Sequence, residues 1–169
     1  MIMAFIRVKP DVAGESQTKA ASCWYSCLRM LFKWKVSKGD TTKDPDKILE
    51  MMDKSPKLYP WDMKDTWGID VSECRETARM LGLQASGDGE LDAQAIANAL
   101  TKRGPIWIAG NWGKGNHVIV IVACDPGLGR LRVINPYQNF SGGDSPMTIS
   151  ELNNRGELWK KCDASVMCW

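Results

Sequence analysis

Apolar positions along this chain follow two rhythms, helical before Pro105 and strand-like after it. From Cys23 to Lys35 there is neither glycine nor proline, and Trp24, Cys27, Leu28, Leu31 and Phe32 recur at the spacing that lays one stripe along an α-helix. This predicts a central helix that begins near Ser22 and is buried on one side. Ahead of it, Met1 to Lys9 reads as a strand or extended lead, and Pro10 to Ser16 as a loop. Between Lys35 and Trp67, Asp44-Pro45 and Tyr59-Pro60 punctuate one short helix around Asp46 to Lys54. Two better-signalled helices follow. Asp70 or Ser72 caps the first, with Glu73 in the capping-box position and Gly82 where a left-handed terminal residue is wanted. Asp92 caps the second, which runs to about Arg103 and is closed by Gly104-Pro105.

After Pro105, β-branched and aromatic residues gather in the runs Ile106 to Ala109, Val118 to Cys124 and Leu131 to Ile134, which are predicted strands. The turn Asp125-Pro126-Gly127 makes the last two an antiparallel hairpin. Thr148 and Glu151 frame a short helix ending near Gly156. Helices first and strands afterwards give an α+β fold with a C-terminal antiparallel sheet, not an alternating α/β one.

The length of 169 residues suits a single domain spanning 1–169. Eight tryptophans supply enough buried surface that the core needs neither a metal nor a disulfide framework. The net charge of +2 is the remainder of 22 basic and 20 acidic side chains mixed along the sequence, which argues against a dedicated nucleic-acid surface. The start, MIMAFIRVKPD, lacks the apolar core of a general secretory signal, and the longest apolar run, Val118 to Cys124, is far short of the roughly 20 residues that span a bilayer. A soluble protein without membrane insertion is expected. Six cysteines at irregular spacing read as free thiols at synthesis, and with no CxxC pair and one histidine a zinc site is not expected.

Candidate chemistry centres on Cys23. A catalytic thiol must ionise near neutral pH, and a helix N-terminus with an imidazolium nearby lowers its pKa. An arbitrary cysteine is more often a small buried hydrophobe, so position alone does not decide. His117 is the chain's one histidine, so any mechanism that needs an imidazole uses it; it opens an apolar strand after the polar loop Trp112-Gly113-Lys114-Gly115-Asn116. The Asp125 turn brings Asn135 of Asn135-Pro136 to the strand beside His117, where its carbonyl can orient the ring; a simple turn-forming dipeptide is the alternative. Gln17, six residues before Cys23, can place its amide beside the Cys23 N–H as an oxyanion hole, or lie solvated on the surface. Trp24, Trp107 and Trp112 are candidates for the cleft wall, although core tryptophans are commoner.

The run Gln17-Thr-Lys-Ala-Ala-Ser22-Cys23-Trp24-Tyr25 resembles the glutamine-to-cysteine signature of papain-like peptidases. Leu91 to Ala109, Asn116 to Asn135-Pro136 and Met147 to Leu152 resemble, in order, the C-terminal half of bacterial papain-like and bacteriocin-processing peptidases. Ala21 replaces the glycine of plant and lysosomal members, and the Cys23-to-His117 separation is short, both in keeping with a trimmed bacterial branch. The resemblance implies a papain-like α+β fold and a cysteine peptidase without a cofactor. In it Cys23 is the nucleophile, His117 the proton carrier, Asn135 the orienter, and Gln17 with the Cys23 N–H the oxyanion hole. It further implies a bacterial effector or toxin, made in the cytoplasm and exported by a specialised secretion system, acting on a protein or peptide. The alternatives are a peptidoglycan amidase or endopeptidase with a cognate immunity protein, a binding module that has lost turnover, and acyl transfer to an amine as in transglutaminases.

Overall fold

A computed structural model of the chain describes residues 5–87, 91–111, 115–137, 143–155 and 164–169. It opens with a two-residue strand β1 (Ile6–Arg7) and a loop, then the long helix α1 (Cys23–Ser37). The predicted apolar stripe of α1 is fully buried, but so are Met30 and nearly all of Ser26 and Trp34. Before its last turn, only the strip bearing Tyr25, Arg29 and Lys33 reaches solvent, and there Arg29 pairs with Glu15 at 2.8 Å and Asp46 at 2.6 Å while Lys33 pairs with Glu15 at 3.1 Å. The helix is thus more enclosed than its periodicity implied, because chain from both sides folds over it.

The region between Lys35 and Trp67 holds more structure than one helix. A 3₁₀ turn (Pro45–Lys47), capped by Asp44, leads into α2 (Ile48–Met52), and Tyr59-Pro60 starts α3 (Pro60–Asp62), which runs on into a π-helical turn (Met63–Trp67). Its end is Gly68 at φ +82. Helix α4 (Val71–Leu81) begins with the full Asp70–Glu73 capping box and ends at left-handed Gly82, both as predicted. Strand β2 (Gln84–Ser86) was not anticipated; α5 (Ala93–Arg103), capped by Asp92, was. At its end Gly104 has φ +94, and a Cβ there would overlap the Trp34 indole, so this position requires glycine twice over.

The predicted strands are β3 (Ile106–Asn111), β4 (Asn116–Asp125) and β5 (Arg130–Ile134), joined to β6 (Ser145–Thr148) and β7 (Val166–Cys168), two short strands the sequence did not reveal. Between β6 and β7, α6 (Ile149–Arg155) starts on the reciprocal Thr148–Glu151 bonds. Its predicted end at Gly156 lies outside the described residues. The sheet order is β2-β7-β3-β4-β5-β6, with β1 beside β4, and every pairing is antiparallel. Apart from its two ends β4 is wholly buried, with His117 at 7% exposure, as a central strand covered on both faces must be. The chain is therefore α+β, with α1 packed on an antiparallel sheet. No helix among the described residues is long and apolar enough to cross a membrane.

Candidate active site

The site starts from a helix that is not capped in the usual way. Ser22 is the N-cap of α1, yet its hydroxyl makes no bond to the helix. Instead it donates to the Lys19 carbonyl and accepts from the Lys19 N–H, both at 2.9 Å, closing the turn before the helix. With no acidic residue in the first turn either, the amides at this end keep their positive field for whatever lies in front of them. Cys23 stands at that end, 8% exposed.

Cys23 and His117 line one cleft of about 890 Å³, together with Trp24, the Lys19–Ala21 turn and, opposite, the segment from Asp65 to Asp70. Burial pushes the Cys23 thiol up, and the backbone N–H groups of Val118, Trp24 and Cys23 itself pull it back down without cancelling the rise. The sequence led us to expect a depressed thiol; enclosure reverses that direction. Fully buried Cys27 is pushed well above the ordinary thiol value, and Cys124 to about 11, chiefly by burial. Cys27 instead donates to the Val118 carbonyl at 3.4 Å, so both thiols of this helix face meet the same strand residue.

Asn135 and Tyr137 both hold the His117 ring. Its Nε2 lies 2.7 Å from Asn135 Oδ1. Because that oxygen only accepts, Nε2 carries the proton and Nδ1 is the basic nitrogen. Tyr137 stacks on the imidazole, ring centroids 4.5 Å apart and planes 12° from parallel. Burial lowers the His117 pKa, and the bond to Asn135 raises it in part.

A β-bulge makes the Asn135 contact possible. The β4–β5 register changes between Ile121 and Ala123, leaving Val122 as the extra residue. Continued past Val120↔Ile134, the register sets Asn135 opposite Ile119, on the face that His117 shares two residues earlier. Without the extra residue Asn135 would oppose Val120 and point to the other face.

Gln17 is buried, not solvated, at 7% exposure. Its backbone N–H donates to the Pro136 carbonyl at 2.6 Å, tying the loop before Cys23 to the Asn135-Pro136 strand end. Its side-chain amide donates to the carbonyls of Lys19 and Ala20 at 2.9 and 3.1 Å, while Oε1 is buried without a protein partner. Both amide hydrogens therefore face the turn that precedes Cys23.

Of the predicted cleft tryptophans, Trp24 lines the site from within the core, its indole N–H bonded to the Met63 carbonyl. Trp107 does not line the cleft: it is fully buried and donates to the Trp24 carbonyl at 3.1 Å. Trp112 lies outside the described residues. The aromatic side chain that does open onto the cleft is Trp67, 60% exposed, beside Gly68. Its one sequence signal is the Trp-Gly pair after a polar stretch. The described cysteines Cys23, Cys27, Cys74, Cys124 and Cys168 are all free thiols, and Cys162 lies outside the described residues. Among the described residues no group of three or more His, Cys, Asp and Glu can hold a metal ion.

Comparison with known proteins bears on the family and the fold. The profile of a family described as papain-like cysteine protease AvrRpt2 matches residues 7–153. No curated protein matches the sequence. Among solved structures, a C39-like peptidase from Bacillus anthracis is similar at a TM-score of 0.61 and 11% identity, over 96% of each chain. A double-glycine-motif protease from an AMS/PCAT transporter, in complex with the leader peptide, is similar at 0.52 and 16% identity, over 96% of this chain and 94% of that one. The peptidase domain of Streptococcus ComA, a bifunctional ABC transporter of a quorum-sensing pathway, is similar at 0.52 and 12% identity, over 94% and 96%. At these identities the structures share the fold.

Proposed function

Because this chain belongs to the papain-like cysteine protease family of AvrRpt2 and is thereby a cysteine peptidase, we propose that Cys23, His117 and Asn135 cleave peptide bonds by acyl transfer. The observation that carries this reading is the meeting, in one cleft, of a thiol at an uncapped helix N-terminus and an imidazole held by Asn135.

Burial acts on both reacting groups in the same sense, favouring neutral thiol and neutral imidazole over the ion pair in the resting site. His117 Nδ1 therefore takes the thiol proton as the sulfur attacks the carbonyl, and returns it to the leaving amine. Water, deprotonated by the same nitrogen, then attacks the thioester; the Cys23 sulfur leaves and recovers its proton. The Cys23 N–H and the Gln17 amide stabilise the oxyanion, Gln17 by turning one hydrogen away from the Lys19–Ala20 carbonyls. No cofactor takes part.

A peptide substrate is supported by the cleft that the Lys19–Ala21 turn and Trp67-Gly68 line beside Cys23 and His117, and by the leader peptide held by the double-glycine-motif protease of the same fold. The setting we propose is a bacterial effector or toxin that acts on a protein, in keeping with the bacterial origin of the Bacillus anthracis and Streptococcus peptidases that share its architecture.

The test compares wild type with Cys23→Ala on an unfolded protein and on isolated peptidoglycan. Cleavage of the protein by wild type alone is expected. Release of stem peptides with the protein left intact would assign the enzyme to cell-wall hydrolysis instead.

A further inference from the structure

The basic side chains that are scattered along the sequence converge in space at the far end of α1 from the catalytic thiol. A cavity of about 630 Å³ is lined by Arg7 of β1 and Lys9 just after it, Lys35 and Lys38 at the end of α1, and Lys102 and Arg103 at the end of α5. Six cations share this cavity in a chain whose net charge is only +2. Two of them are matched: Arg7 pairs with Asp144 at 2.7 Å and Lys9 with Asp11 at 2.8 Å. Among the described residues no carboxylate forms an ion pair with Lys35, Lys38, Lys102 or Arg103, although Lys35 acts electrostatically on Asp40 and Arg103 is hydrogen-bonded to the Cys168 thiol. The floor is aromatic. Trp34 is held by its bond to the Pro10 carbonyl at 3.0 Å and by contact with Gly104, and Trp169 is held by its bond to the Leu31 carbonyl at 3.3 Å. The Lys35 ammonium lies 5.3 Å over the Trp169 ring.

Cations at helix C-termini complement the helix dipole, which accounts for Lys35, Lys102 and Arg103 one helix at a time. It does not account for two helix ends and a strand bringing cations to the wall of one cavity, where like charges repel unless an anion lies between them. A single carboxylate cannot reach all the cations that the ends of two helices bring to this cavity. Several phosphates on one small scaffold can, each bringing close to two negative charges and three acceptor oxygens. The volume falls within the range of small-molecule sites.

We infer that this cavity is a binding site for a ligand carrying several clustered phosphates, either a free inositol polyphosphate or the same headgroup on a lipid. The site is separate from the catalytic cleft and does not depend on the peptidase reading.

The experiment titrates the intact chain with inositol hexakisphosphate by calorimetry, and with vesicles of phosphatidylcholine with or without phosphatidylinositol bisphosphate. Binding of one inositol hexakisphosphate per chain is expected, weakening as salt rises. The double variant Lys38→Glu/Lys102→Glu should bind at least about tenfold more weakly with its melting temperature unchanged, whereas Lys47→Glu/Lys54→Glu, also exposed but remote, should bind as wild type does. If the double reversal does not fold, Lys38→Gln/Lys102→Gln is read in the same way. Binding to the phosphoinositide vesicles alone keeps the site and assigns it to the lipid. Binding to neither, equal loss in both pairs of variants, or tight binding of a short RNA that inositol hexakisphosphate does not displace would overturn the inference.

Discussion

Asn135 Oδ1 accepts a hydrogen bond from His117 Nε2 at 2.7 Å, across a strand pair whose register contains one extra residue. The bond fixes the tautomer and raises the imidazole pKa against the pull of burial. Asn135→Ala should therefore lower kcat by roughly 10- to 100-fold, an effect in the range seen when an orienting partner of a catalytic or metal-bound histidine is removed. It should also shift the acid limb of the kcat/KM profile to lower pH, since the group that raised the pKa is gone. A shift to higher pH would contradict the assignment.

The protonation state of the resting thiol gives a second prediction. Cys23 ionises above the ordinary thiol value of 9.0 because it is buried, so its rate of alkylation by iodoacetamide should climb throughout pH 6 to 9. A flat rate from pH 5 upward would show a preformed thiolate–imidazolium pair. The same two shifts bear on stability. The folded His117 pKa is depressed below 6.5, so the unfolded chain takes up its proton first and stability is lost as pH falls through that value; the folded Cys23 pKa is raised, so stability is lost as pH rises through 9.0. Thermal unfolding of wild type against His117→Gln and Cys23→Ala, at pH 5, 7 and 9.5, checks both signs.

Gln17 tests the oxyanion hole. If its amide turns onto the developing oxyanion, Gln17→Ala loses a factor of roughly 100 to 1,000 in kcat with little change in KM. If it serves only to shape the Lys19–Ala20 turn, steady-state kinetics will show KM rising while kcat holds.

How much of this was legible beforehand depended on whether the signal was local. The caps Asp70, Asp92 and Thr148 announce their helices because a partner within three residues completes each one: the Glu73 and Glu151 side chains accept from the Asp70 and Thr148 N–H groups, and the Ala95 N–H donates to the Asp92 carboxylate. The β4–β5 hairpin followed from Asp125-Pro126-Gly127, whose Asp125 carboxylate accepts from the Gly127 and Leu128 N–H groups. That turn placed Asn135 near His117 but could not say which face it occupies, since the Val122 bulge has no sequence signal of its own. Strands β2 and β7 went unseen because each has three residues and exists only by pairing with strands far away in sequence, β2 with β7 and β7 with both β2 and β3. The direction of the Cys23 shift depends on how deeply the helix end is enclosed, and no local pattern encodes that. Charge was legible in total but not in placement: six cations from three stretches of sequence meet in one cavity.

Gly104 carries a structural prediction independent of the chemistry. Its backbone lies in a region essentially reserved for glycine, a cost of about 1–3 kcal/mol for any other residue, and a Cβ would in addition displace Trp34. Gly104→Ala should lower stability by more than that backbone cost alone in urea titration, whereas Gly143→Ala, where nothing lies within 4 Å, should change it little.

The central claim is that one thiol and the one imidazole act as a pair, and covalent labelling of Cys23 by a peptidyl epoxide tests it most directly. One label per chain, on Cys23 and abolished in His117→Ala, is the predicted outcome when the adduct is mapped by peptide mass. Label of equal extent in His117→Ala, or spread evenly over the cysteines, would contradict it.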